Sequence, residues 1–112
     1  MAGSKVYGCP VEFALDALGG KWKSVILARL KQGPCRYGEL RRLIPGLSDK
    51  VLTERLQDLC DAGLAQVMAA DDGTRRYGLT VRGQSLSPIL QALYDWGEAN
   101  AAAAGARIRP ST

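Results

Sequence analysis

A mostly α-helical domain carrying one small β-hairpin is the fold class this 112-residue sequence predicts. Three observations lead there. Apolar residues recur at helical spacing along most of the chain, as at Leu52, Leu56, Leu59 and Cys60 in "LSDKVLTERLQDLCDAGL". Glycines and prolines punctuate those stretches at Gly19-Gly20, Gly33-Pro34 and Pro45-Gly46. Two short β-prone runs flank Asp72-Gly73, a strong hairpin signal.

The elements follow in chain order. The first helix starts at Cys9-Pro10, because proline's missing N–H is unpaired at a first helical position anyway. Glu12 lies where a capping carboxylate belongs, and Gly19-Gly20 stops the helix. A second helix, "KWKSVILARLKQ", puts Trp22, Val25, Ile26 and Leu30 on one face and ends at Gly33-Pro34. "CRYGEL" opens with a short extended piece, and "GELRRLI" is a short third helix broken by Pro45-Gly46. The fourth helix has Ser48 as its cap and Leu47 and Leu52 placed for a hydrophobic staple. Gly63 suits the left-handed position after it, where Leu64 meets Leu59. After the hairpin, "VRGQSLSPILQALYDWGEANAAAA" is a long helix with Leu86, Ile89, Leu90, Leu93 and Trp96 on its apolar side. Pro88 kinks it or splits its first turns.

Composition excludes several classes. Apolar residues at 46% and charged residues at 23% suffice for one domain with a real core, without disulfides or metal. No apolar run reaches membrane-spanning length, and "MAGSKVYGCP" lacks the apolar core of a signal peptide, so a cytoplasmic protein is expected. The 3 cysteines form no CxxC, and there is no histidine, which argues against zinc, a disulfide framework and the commonest general base. With no glycine-rich phosphate loop and no GxSxG either, an enzyme is not expected, nor is a cofactor. A net charge of +4 is compatible with nucleic acid without being diagnostic of it.

Helix, helix, short helix, helix, hairpin, helix is the order of a helix-turn-helix followed by a hairpin, the layout of a winged helix. The motifs CPVE, GGKW, GPCRYGELRR, IPGLS, LTERLQDL and DAGL, with "YGLTVRGQSLSPILQALYDWG" further on, stand in that order over roughly residues 9 to 97. In these the chain resembles the HxlR-type transcriptional regulators, a winged-helix group related in fold to the MarR regulators. Members carry a longer, proline-containing wing. The compact "AADDGTRRYGLT" departs from that, which bears on the wing's reach and contacts. The resemblance implies a winged helix-turn-helix with added N- and C-terminal dimerisation helices, around Pro10 to Leu18 and Leu86 to Ala101, and a homodimer on double-stranded operator DNA. It divides the chain into a flexible arm (1–8), the DNA-binding domain with its dimerisation helices (9–104) and a flexible tail (105–112).

The fourth helix is the expected reader of the major groove. Ser48, Lys50, Thr53, Glu54 and Gln57 are the candidates, since lysine can address guanine, glutamine adenine, glutamate the cytosine amino group, and the threonine methyl a thymine methyl. The plainer account is a solvated polar face, with Ser48 only a cap. Asp58 and Asp61 count against DNA at the negative helix end, although that end is expected to leave the groove. Arg75 and Arg76 at the wing suit a minor groove or a phosphate track. Arg41 and Arg42, with Arg36 and Tyr37 ahead of them, can fix the backbone register, unless one arginine pairs with Glu39 or stays in solvent. Lys21 and Lys23 are equal candidates for phosphate.

Cys9 stands at a helix N-terminus, where the dipole stabilises a thiolate. Some members of the resembled family sense oxidants or electrophiles through a cysteine at this CP position, which implies an adduct or disulfide near the dimer contact. The alternative is a cysteine that only caps or packs. Cys60 falls on the apolar stripe and is expected to be inert. The competing function is a winged-helix module for protein contacts without DNA. The operator, the controlled genes and any small-molecule effector are not legible.

Overall fold

A computed structural model describes residues 5–108. Six helices and one hairpin appear among them: α1 (Pro10–Leu18), α2 (Gly20–Leu30), α3 (Tyr37–Leu43), α4 (Asp49–Asp61), β1 (Ala65–Ala69), β2 (Arg75–Leu79), α5 (Val81–Gln84) and α6 (Ser87–Asn100). This is a winged helix-turn-helix, with α3 and α4 joined through Gly46 and the hairpin as the wing. Pro88 splits the last helix, as its missing N–H requires, and sits in the first turn of α6.

The core is built from α2, α3 and α4. Ile26, Leu27, Leu30, Leu40, Leu47, Leu52, Leu56 and Leu59 are all buried. The face of α2 differs from the one expected: Leu27 is fully buried, whereas Val25 is exposed and Trp22 packs only partly against the core. α4 presents its leucines inward and its polar residues outward. Both of its ends are closed as the sequence indicates. The Ser48 hydroxyl accepts the Val51 N–H at 3.2 Å. At the other end, Gly63, at φ 75°, donates to the Cys60 carbonyl at 3.0 Å, and Leu64 donates to Leu59 at 2.9 Å. Those two bonds are the pair that defines a Schellman stop.

The wing is antiparallel, with Ala65 opposite Leu79 and Ala69 opposite Arg75. Its loop is longer than a two-residue Asp-Gly turn. Ala70 and Thr74 close it, and Gly73, at φ 82°, donates back to the Ala70 carbonyl. That is a three-residue loop with glycine in its left-handed place. Cys35 adds a single bridge to the far side of β2, exchanging two backbone bonds with Tyr77 at 2.7 and 2.9 Å. The short extended piece expected at "CRYGEL" is therefore a third strand reduced to one residue pair.

The "LTVRG" stretch welds the wing to α4. The Thr80 hydroxyl donates to the Gly63 carbonyl at 2.6 Å and accepts the Gly83 N–H at 3.0 Å, while the Thr80 N–H reaches the Leu64 carbonyl at 3.1 Å. Gly83 is buried in this joint, and a Cβ there would lie 2.0 Å from the Leu64 carbonyl oxygen.

Two helices are only half covered. α6 buries Leu90 and packs Leu86, but Ile89, Leu93 and Trp96 are exposed at 44%, 52% and 69%. The apolar side expected of this helix is thus covered by its own chain only at Leu86 and Leu90. On α1, Val11, Phe13 and Leu15 are likewise exposed, and only Leu18 is buried. Glu12 does not cap α1. Its carboxylate leans against Gly8, where a Cβ would meet Oε1 at 2.5 Å. Lys5 and Tyr7 both reach Asp16, so this part of the 1–8 arm runs along α1. Residues 1–4 of the arm and 109–112 of the tail lie outside the described residues.

Gly83→Ala forces backbone against backbone, so it should lower stability in urea by about 1–3 kcal/mol. Gly63→Ala places a side chain at positive φ and should cost roughly 1 kcal/mol in the same measurement.

Candidate nucleic-acid interface

Lys50, Thr53, Glu54 and Gln57 recur at three- and four-residue steps along α4, and all are exposed. Ser48, also exposed, precedes them and is committed to its cap through Val51. The five residues expected to read bases thus share the solvent side of one helix. They are not equally free. Lys50 has no hydrogen bond or ion pair among the described residues, whereas the Gln57 amide donates to Asp61 at 2.8 Å. Glu54 is 3.8 Å from Arg55, which pairs more closely with Asp58 at 3.0 Å. Asp58 and Asp61 line a groove of about 850 Å³ between α1, α4 and α5, together with Asp16, Lys5, Lys23 and Arg82.

The start of α4 is clamped by α3, a feature the sequence did not disclose. Arg41 pairs with the Asp49 carboxylate at 2.7 Å and donates to the Leu47 carbonyl. The Tyr37 hydroxyl lies 3.1 Å from the Asp49 carbonyl, 3.0 Å from its carboxylate and 3.2 Å from the Thr53 hydroxyl. Arg41 thus braces the helix-turn-helix from within, with its side chain 37% exposed. It has no claim on Glu39, whose carboxylate accepts the Arg36 N–H at 2.7 Å and caps α3. Tyr37 and Asp49 are 12 residues apart and meet only through the fold, so no spacing rule could have found them. Arg42 is exposed, with no ion pair among the described residues.

The wing turn lies beside the start of α3. Arg36 and Asp72 are 36 residues apart in the chain and 3.4 Å apart in space. Both are about half exposed, so the pair contributes little stability and serves mainly to place the turn. Arg75 is exposed and Arg76 half-buried, neither paired among the described residues. Lys21 lies 4.5 Å over the Trp22 ring, and Lys23 reaches the Asp16 carbonyl at 3.3 Å, so both lysines have roles in their own chain.

The three cysteines separate by environment. Cys9 is exposed at the head of α1. Burial pushes the Cys35 and Cys60 thiols up, with Glu39 and Asp61 adding to the effect, so both favour the inert thiol form. Among the described residues no cluster of metal ligands occurs, and no helix is long and apolar enough to cross a membrane.

The profile of the HxlR-like helix-turn-helix family matches residues 17–104. The chain belongs to that family. A protein of Methanothermobacter thermautotrophicus described as an uncharacterized HTH-type transcriptional regulator is 41% identical over 98 residues, covering 86% of this chain and 75% of its own. Among solved structures, the redox regulator HypR in its oxidized form superposes with a TM-score of 0.76 at 36% identity, over 82% of this chain and 97% of its own. A MarR-family regulator from Porphyromonas gingivalis superposes at 0.77 with 32% identity, over 88% and 99%. This chain is accordingly a helix-turn-helix transcriptional regulator.

Asp72 is held below the ordinary aspartate range, first by the Thr74 hydroxyl and N–H that bond its carboxylate, then by Arg36 and Arg76. A depressed carboxylate stabilises the turn fully above the ordinary value of about 3.9. The contribution disappears as pH falls through the lower, folded-state value. The Thr74 amide resonance should therefore titrate with a midpoint below about 3.9, and the step should vanish in Asp72→Asn.

Proposed function

We propose that this regulator binds operator duplex as a cytoplasmic homodimer, with α4 of each copy in successive major grooves. The observation that carries the reading is the outward polar face of α4, whose apolar face is sunk in the core. A helix fits the major groove, where each base pair shows a distinct set of donors, acceptors and methyls. Lys50, Thr53, Glu54 and Gln57 are the base readers, and Ser48 opens a helix end that favours phosphate. Gln57 must exchange Asp61 for a base. Arg75 and Arg76 follow the backbone or minor groove from the wing, while Arg36 and Arg42 meet phosphates from α3.

The exposed stripes of α1 and α6 support pairing of two copies. Val11, Phe13, Leu15, Leu93 and Trp96 would otherwise stand in water. Cys9 lies at the head of that same α1, beside the pairing surface. It is the one exposed cysteine among the described residues, and a neighbour in structure is a redox regulator. Oxidation at Cys9 would shift the two reading helices relative to each other and so change operator binding.

Filter binding of duplexes selected from a randomised pool, at two salt concentrations, tests the DNA reading. Arg75→Ala should weaken all sequences alike and flatten the salt slope. Lys50→Ala or Gln57→Ala should relax preference at one base pair, at a cost of about 1–3 kcal/mol. Retention that ignores salt, or none at all, would favour a protein-contact module instead. Diamide should change duplex retention by the parent and leave Cys9→Ser unaffected; equal responses would remove the thiol from the mechanism.

A further inference from the structure

The Tyr37 hydroxyl has one proton and sits within hydrogen-bond reach of three oxygens: the Asp49 carbonyl, the Asp49 carboxylate and the Thr53 hydroxyl. Both Asp49 oxygens are acceptors, the carboxylate being ion-paired to Arg41 at 2.7 Å. The tyrosine proton must serve them, because an oxygen held at 3.0 or 3.1 Å from either without a proton between would only be repelled. The Thr53 hydroxyl is then the donor of the remaining contact, at 3.2 Å, and Tyr37 the acceptor.

A threonine inside a helix ordinarily divides between two rotamers, one of which returns its hydroxyl to the carbonyl four residues back. For Thr53 that carbonyl is Asp49, and the Tyr37 hydroxyl already lies on it. No bond from Thr53 to its own backbone occurs among the described residues. The side chain is therefore locked by a neighbouring helix, its only proton spent within the protein.

We infer that Thr53 addresses DNA through its methyl group, recognising the 5-methyl of a thymine, and that Tyr37 is the positioning residue that enforces this. The inference rests on the placement of α4 in the major groove. Thr53 is exposed on the reading face, and the hydroxyl proton that could have sought a base acceptor is withheld. With its proton committed, Thr53 can no longer donate to a guanine or thymine oxygen, and its methyl is the group that no contact among the described residues engages, an apolar partner for the thymine methyl. Tyr37 itself touches no base in this account. It takes the donor away from a side chain of mixed capability, and Arg41 holds the Asp49 acceptors in place for it.

The test uses duplexes retained by the parent, with each thymine replaced in turn by deoxyuridine, which removes the 5-methyl and nothing else. The parent should lose about 4-fold in affinity at one thymine of each half-site, the worth of one buried methyl. Thr53→Val keeps a methyl and should keep the sensitivity. Thr53→Ser keeps the hydroxyl and should bind thymine and deoxyuridine alike at that position. Tyr37→Phe should blunt the sensitivity when Thr53 is present and change nothing further in the Thr53→Val background, a coupling that general loosening of the fold would not produce. Thermal melts of each variant separate lost folding from lost discrimination. A parent that binds duplex but is indifferent to deoxyuridine everywhere would overturn the inference and leave the groove assignment standing. So would Ser and Val variants that behave alike. A parent that retains no duplex ends both.

Discussion

Leu52, Leu56 and Leu59 enter a core shared with Ile26, Leu27 and Leu40, and the direction of that burial decides which side of α4 is left for function. Each such leucine contributes about 1.5–3 kcal/mol relative to exposure. The pairs on the outer side, Gln57 with Asp61 and Arg55 with Asp58, are surface contacts of the kind that contribute roughly 0.2–1 kcal/mol. The leucines therefore fix the rotation of the helix, and the outer pairs can be exchanged for other partners at small cost. The Ser48 cap and the Schellman stop at Gly63 then set its length.

The apolar pattern carried this much in advance because it reports burial directly. The inward face of α4, its two ends, the proline split before α6 and the hairpin were all legible. The pattern could not tell one apolar partner from another. Leu86, Ile89, Leu90, Leu93 and Trp96 read as a single stripe, yet only Leu90 is buried within the chain. Helical spacing says that residues share a face, not whether their own chain covers it. Val25 and Leu27 were confused for a related reason, since neighbouring positions on an almost wholly apolar turn of α2 have no polar residue to mark the boundary.

The candidate interface was legible in its exposed residues and obscure in its supports. Lys50, Thr53, Glu54 and Gln57 could be picked out because they are polar at steps of three and four, and Ser48 as the cap ahead of them. The clamp of Tyr37, Arg41 and Asp49 could not, because it joins two helices across a turn and depends on where Pro45-Gly46 sends the chain. Arg41 shows the consequence. From sequence it was one of several arginines available to phosphate; in the fold it braces the turn, leaving Arg42 as the exposed member of the pair. The "LTVRG" joint has the same character, in that Thr80 and Gly83 acquire meaning only when Gly63 and Leu64 lie against them.

The central claim is that the outward side of α4 lies in the major groove, once per copy. Dimethyl sulfate methylates guanine N7 in the major groove and adenine N3 in the minor groove, so protection of a retained duplex separates the two. Guanine N7 atoms should be shielded in two patches about 10 base pairs apart, centre to centre, one for each α4 of a dimer. Shielding confined to adenine N3, or a single unpaired patch, would contradict the account.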